Sequence, residues 1–291
     1  MNRIILKIGK LNISLVGVDL SQLPENAKLF LSKDVTYDIE YKFFFENLPQ
    51  RIPFNVSCKK DDIIVFSKTD FLESRLLIFP DYQMAYAYYE EVDERHVSVY
   101  YNPRCIDFFN FDPVFYSLLA LERHLNKRES YILHCAYLDY NNKAYLFSGP
   151  SGIGKTTHTD LWSKHFPSTA RVLNGDKCLI EKRGNEFYAL GWPICGSSGI
   201  CFNEERKIAA IILLQQTPEN QEIIEKRIRH IQRIFEQLTV NYWNHTFVNN
   251  ALTFAEEMTN SVTCCTYGCN MEDSAVTVLQ QILQNKNNEK E

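Results

Sequence analysis

The stretch Tyr145–His158, YLFSGPSGIGKTTH, decides the reading of this chain. A short apolar run ends in a glycine-rich loop, and Lys155-Thr156-Thr157 follows at once. Gly149-Pro150-Ser151-Gly152-Ile153-Gly154-Lys155-Thr156 has the spacing G-x4-G-K-[ST]. Each residue type there has a physical task. Glycines let backbone N–H groups curl around phosphate oxygens with no Cβ in the way. A helix beginning at Lys155 points its positive end at the same anion. Lys155 is expected to bridge β- and γ-phosphates, and the Thr156 hydroxyl to serve Mg²⁺. Gly149 through Thr157 is therefore the expected nucleotide-binding set, for ATP or GTP.

Working outward, YILHCAYLDY (131–140) and KAYLF (143–147) read as strands joined by an Asn141-Asn142 turn. After the loop the pattern predicts a helix from Lys155 to about His165 and a strand at 171–175. A hairpin follows at 178–190 around Gly184-Asn185, then a buried strand at 207–216. Ile224, Ile228, Ile231, Phe235 and Leu238 step by one helical face and predict an amphipathic helix over 222–238, with Lys226, Arg227, Arg229 and Arg233 on a solvated side. A helix at 246–259, a strand at 262–267, a helix at 271–283 and a charged, frayed tail complete the reading. Upstream, the first 125 residues read as mostly β: a strand pair at the N-terminus, then strands at 37–45, 75–80, 83–91 and 96–101. Asp112 as N-cap with Pro113 at the first position predicts a helix running to about Lys127. The expected division is a β-rich domain at 1–125 and a phosphate-loop domain at 126–291.

Phosphoryl transfer also needs a carboxylate to hold Mg²⁺ or orient the attacking hydroxyl. Asp176, in RVLNGDKCL, stands one helix and one return strand past Lys155, which brings that strand's end back toward the loop. Asp160, one turn into the helix after the loop, is expected to point away. His134 lies one hairpin before the loop; alone, a histidine in an apolar strand reads as a core residue. The 291 residues are 45% hydrophobic, with 19 Phe and 16 Tyr, as in a folded globular protein. The net charge of −5 argues against a nucleic-acid binder or a polybasic membrane anchor. No stretch of 18 apolar residues occurs, and the N-terminus lacks a small-residue cleavage site, so the expected location is the cytoplasm. The nine cysteines are then expected as thiols, and Cys264, Cys265 and Cys269 as core residues of a buried strand rather than zinc ligands.

Taken together, His134, Gly149–Thr157 and Asp176 resemble the nucleotide core of HPr kinase/phosphorylase, in the same order and at similar spacing. ATP-dependent phosphoenolpyruvate carboxykinase shares that core. LHC (133–135), YLFSGPSGIGKTTHTDLW (145–162), LNGDKC (173–178), GWPICG (191–196) and QTPEN (216–220) are more similar still to HPr-kinase-like peptide kinases of ribosomal-peptide gene clusters. The resemblance covers roughly residues 130–290. It implies an α/β fold with an HPr kinase/carboxykinase-type phosphate-loop core and transfer of the γ-phosphate to a hydroxyl, of a serine in a peptide or protein or of a small metabolite. It further implies Asp176, Lys155 and His134 as catalytic residues, Thr156 and Asp176 as metal ligands, and a homo-oligomeric assembly. Two departures stand out. Lys177 occupies the place of a second acid in the HPr kinases. Ser197 and Ile194 stand where the peptide-kinase relatives have lysine and tryptophan. The signature that follows the HPr kinase core has no counterpart here, so HPr is not the expected acceptor. A carboxykinase-like enzyme and a nucleotide-binding regulator without transfer are the alternatives.

Overall fold

Alternating apolar and polar residues at Arg3–Ile8 and Leu11–Val16 form strands β1 and β2, paired antiparallel. They open the first of two sheets in a computed structural model that describes residues 3–49, 55–67 and 72–288. The chain is mixed α/β and divides into two compact units, Met1–His124 and Leu125–Glu291.

In the first unit, β3 (Ile39–Phe45), β4 (Asn55–Lys59), β5 (Ile63–Ser67), β6 (Glu73–Phe79), β7 (Met84–Glu91) and β8 (His96–Tyr101) join β1 and β2 in the order β1-β2-β3-β8-β7-β6-β5-β4. Its core is aromatic: Phe43, Tyr101, Phe109 and Phe115 meet edge to face or stacked. The helix expected over 112–127 is broken. α1 covers Asp112–Ser117 and α2 covers Leu121–Asn126, because Ala120 takes a left-handed φ of 45° between them. Asp112 is the first helical residue and not the cap; its carboxylate accepts from Asn26 Nδ2 at 3.1 Å.

The second unit carries β9 (Ser130–Tyr140), β10 (Lys143–Ser148), α3 (Lys155–His165), β11 (Ala170–Asn174), β12 (Lys177–Arg183), β13 (Glu186–Leu190) and β14 (Arg206–Gln216). β15 (Gln221–Ile223), α4 (Arg227–Phe235), α5 (His245–Ser261), β16 (Thr263–Cys269) and α6 (Ser274–Asn288) follow. The strand order is β10-β9-β12-β13-β14-β16-β15, with β11 also on β9 and β10 also on β14. One face buries Phe147, Leu214 and Tyr267 with Trp162 of α3 and Val276 and Leu279 of α6; the other buries Leu133, Tyr137 and Leu213 with Ile234 of α4 and Phe247 and Phe254 of α5. Such burial on both sides explains the unbroken apolar run of β14. Cys265 and Cys269 lie in the first of these cores, and Cys264 packs against the second.

The helix expected over 222–238 begins only at Arg227, since Gln221–Ile223 pairs with β16 instead. Ile224 and Ile228 are consequently 83% and 64% exposed, and Ile231, Ile234, Phe235 and Leu238 make the packed face. Arg233 is not on a solvated side. Its Nη2 donates to Leu214 O at 2.8 Å and its Nη1 lies 3.3 Å from Glu225. Residues 285–288 of the expected tail continue α6, and 289–291 lie outside the described residues.

The first unit also buries a charge network. Arg123 donates through Nε to Glu91 Oε1 at 2.6 Å and through Nη1 to Glu73 Oε2 at 3.2 Å. Arg123→Met removes the guanidinium that both carboxylates share. The expected loss is about 3–5 kcal/mol, read from denaturant unfolding of the full chain.

Candidate functional site

β9 is the axis of the site. Its second half pairs with β10, placing Cys135 opposite Ser148; its first half pairs with β12, placing His134 opposite Lys177. β11 and β12 run along one edge of β9, broken only at Gly175-Asp176, and the Asp176 carbonyl accepts from Cys135 N at 3.0 Å. On the other edge, His134 N donates to Gln237 O at 2.9 Å, and Ser148 Oγ donates to the His134 carbonyl at 2.8 Å. The loop after β10 and the turn before β12 thus meet beside His134.

The loop itself needs its glycines. Gly152 and Gly154 adopt φ of +78° and +108°, a region L side chains rarely enter. Gly154 is the N-cap of α3, so the helix begins at Lys155. The Lys155 ammonium folds back on its own loop, 3.0 Å from Gly149 O and 3.2 Å from Pro150 O. Burial lowers its pKa from the ordinary lysine value, with Cys135 and Asp176 opposing.

A cleft of ≈ 300 Å³ opens at the helix N-terminus. It is lined by Ser151, Gly152, Gly154, Lys155, Thr156 and Thr157 from the loop and helix, together with His134 and Asp176. Gly149 and Pro150 anchor Lys155 without lining the cleft, and Ile153 turns to a neighbouring pocket. Asp160 is exposed on α3 and away from the cleft.

Asp176 Oδ1 lies 3.5 Å from His134 Nε2, and Oδ2 lies 3.4 Å from the Lys177 ammonium. The bond to the His134 ring, helped by the Lys177 charge, holds the carboxyl below its usual pKa against the opposing effect of burial. His134 is itself positioned from behind, its Nδ1 3.1 Å from Gln237 Oε1.

Several residues here were not legible from the sequence. Asp176 does not cap its own turn; the buried Asn174 does, its Oδ1 accepting from Asp176 N at 2.9 Å and Lys177 N at 3.0 Å. Asn174 Nδ2 then donates to Trp192 O at 2.8 Å and Ile194 O at 3.1 Å, tying the turn to GWPICG. Cys195 of that segment, with Ser197 and Ser198 just after it, lines the cleft, and so does Met271. Gly175 permits this approach: a Cβ there would sit 2.5 Å from Ser198 Cβ. An Asn before Gly-Asp was the available signal, since Asn side chains bond backbone two residues on.

No family model and no curated protein matches the chain. Among solved structures, the HPr(Ser) kinase/phosphatase from Coxiella burnetii is similar, at 8% identity and a TM-score of 0.31, covering 55% of this chain and 99% of that one.

Two expectations follow. Asn174→Ala leaves two carbonyls and two turn amides without their partner and should cost about 2–4 kcal/mol, measured by denaturant unfolding. The Asp176 carboxyl contributes to stability in full above the unfolded value near ~3.9 and ceases to as pH falls through its lower native pKa. The stability gap between wild type and Asp176→Asn should therefore close on acidification. A gap that widens contradicts the bonding described.

Proposed function

We propose that this chain is an ATP-dependent kinase that transfers the γ-phosphate to a hydroxyl, of a serine in a peptide or protein or of a small metabolite. The observation that carries the reading is convergence. Lys155 and Thr156 of a phosphate-loop motif share one cleft with a carboxylate, Asp176, brought by the turn between β11 and β12, and an imidazole, His134, brought by β9.

In this reading the loop backbone and α3 N-terminus hold the phosphates, and Lys155 exchanges its carbonyl partners for phosphate oxygens. Thr156 and Asp176 are oxygen donors that fit Mg²⁺, an ion that takes one or two protein ligands and completes its shell with phosphates and water. Bound there, Mg²⁺ would neutralise charge on the phosphates. A carboxyl with a lowered pKa is a weak proton sink but stays ionised, so Asp176 acts chiefly by orienting the acceptor hydroxyl. The hydroxyl proton can leave late, since the transition state is loose, passing to the Asp176 carboxylate and on to water. His134, fixed by Gln237, holds Asp176 Oδ1 in place.

One observation favours a second reading, a nucleotide-binding regulator. The Lys177 ammonium sits 3.4 Å from Asp176 Oδ2, where it competes with a metal or a hydroxyl.

Incubating the full chain with γ-labelled ATP, Mg²⁺ and a cell extract separates the two. Transfer to an acid-stable phosphate ester is expected. Asp176→Asn should lower it by at least about 10²-fold while ATP binding persists. Near-full transfer by the variant removes Asp176 from the mechanism, and ATP binding without any labelled acceptor supports the regulator.

A further inference from the structure

Between β13 and β14 the chain forms an arch beside the cleft, and both its feet are held. At one foot, Asn174 Nδ2 donates to Trp192 O at 2.8 Å and to Ile194 O at 3.1 Å. At the other, Phe202 N donates to Leu173 O at 3.1 Å. Cys201 Sγ lies 3.4 Å from Trp192 O and closes the base. Leu173 and Asn174 end β11, so one strand end carries both feet of the arch and the Asp176 turn. Between the feet, Gly196–Ser198 makes one 3₁₀ turn.

The crown of the arch lies against the carboxylate. A Cβ at Gly196 would sit 3.0 Å from Asp176 Cβ and 3.1 Å from its Cγ. Ser197 follows at once; it is exposed and lines the cleft together with Asp176, Lys155 and Thr156. Its neighbour Ser198 is tied down, its Oγ donating to Cys195 O at 2.7 Å and accepting from Ile200 N at 3.2 Å. Gly196 and Gly199, at φ of +57° and +65°, bracket the two serines, so the backbone at both ends turns without the penalty a Cβ would bring. The other hydroxyls lining the cleft, on Ser151, Thr156 and Thr157, belong to the loop and helix start that hold the phosphates in the proposed reading. Ser197 is the exposed hydroxyl on the Asp176 side.

We infer that the chain phosphorylates its own Ser197, within one molecule. The inference rests on the kinase reading above and names an acceptor for it. Ser197 Oγ forms a bond to the γ-phosphorus while the bond from that phosphorus to the β,γ-bridging oxygen breaks, and ADP leaves with the electron pair. The hydroxyl proton passes to the Asp176 carboxylate and on to water. The arch supplies what an acceptor from solution lacks: a hydroxyl already carried beside the carboxylate reacts without losing translational freedom. The product is also accommodated. A phosphoserine brings a charge of roughly −1.5 to −2 into a cleft that holds Lys155, with Lys177 beside Asp176.

To test this, the full chain is cleared of phosphate with a phosphatase that is then removed. It is incubated with γ-labelled ATP and Mg²⁺, with and without cell extract, and the label is located by mass spectrometry. Without extract, the chain should acquire phosphoserine at Ser197, with a rate constant that dilution of the chain leaves unchanged. Ser197→Ala should lose this label. Ser197→Thr should carry it as phosphothreonine at the same position, which a merely structural serine would not produce. Asp176→Asn should slow the labelling by at least about 10²-fold. Label at another residue of the chain, label kept by Ser197→Ala, or a rate constant that rises with chain concentration would each overturn the inference. Label in extract acceptors with none in the chain overturns it and leaves the kinase reading standing, whereas no label in either overturns both.

Discussion

The register of β9 against its two neighbours is the constraint from which the site follows. Ser148 opposite Cys135 fixes where the glycine-rich loop departs, and Lys177 opposite His134 fixes where the Asp176 turn falls. Side chains alternate faces along a strand, so a slip of one residue against either neighbour would exchange His134 for Cys135 at the cleft. The register is guarded by burial. Leu133, Cys135 and Tyr137 enter one core while Ala136 and Leu138 enter the other, and all are fully buried. The side-chain chemistry of the cleft is thus set by apolar packing on both sides of one strand.

Much of this was legible because the signals are local. A strand, glycines at special φ and a helix are written in consecutive residues, and strand ends on either side of a hairpin return to the same place. Asn174 was not legible, because its four hydrogen bonds join a turn to Trp192 and Ile194, contacts that no local pattern encodes. The same holds for Ser198 against Gly175. The helix over 222–238 was misread for a related reason. Ile224 and Ile228 keep helical spacing, yet β16 offers an edge to Gln221–Ile223 and the pairing wins. Strand β4 escaped notice because its side chains are mostly exposed and carry no alternation, and the break at Ala120 because Leu118, Leu119, Leu121 and Leu125 are buried on both sides of it.

The charges around Asp176 decide what its cleft can accept. One carboxylate faces two ammonium groups, Lys155 and Lys177, and an imidazole that is held by Gln237. That balance suits a polyphosphate, whose charge is concentrated at the helix N-terminus already disposed toward anions. It also limits Asp176. With Oδ1 beside His134 and Oδ2 beside Lys177, each oxygen keeps a further lone pair, and a metal or a hydroxyl that approaches it competes with those two neighbours. Lys177 is the easier to displace, since its long stem leaves the ammonium free to turn toward an arriving phosphate. On the proposed reading, the residue that stands in place of a second acid is therefore a counter-charge that moves from Asp176 to the nucleotide when the nucleotide arrives. The single carboxylate is then exposed when it has something to orient.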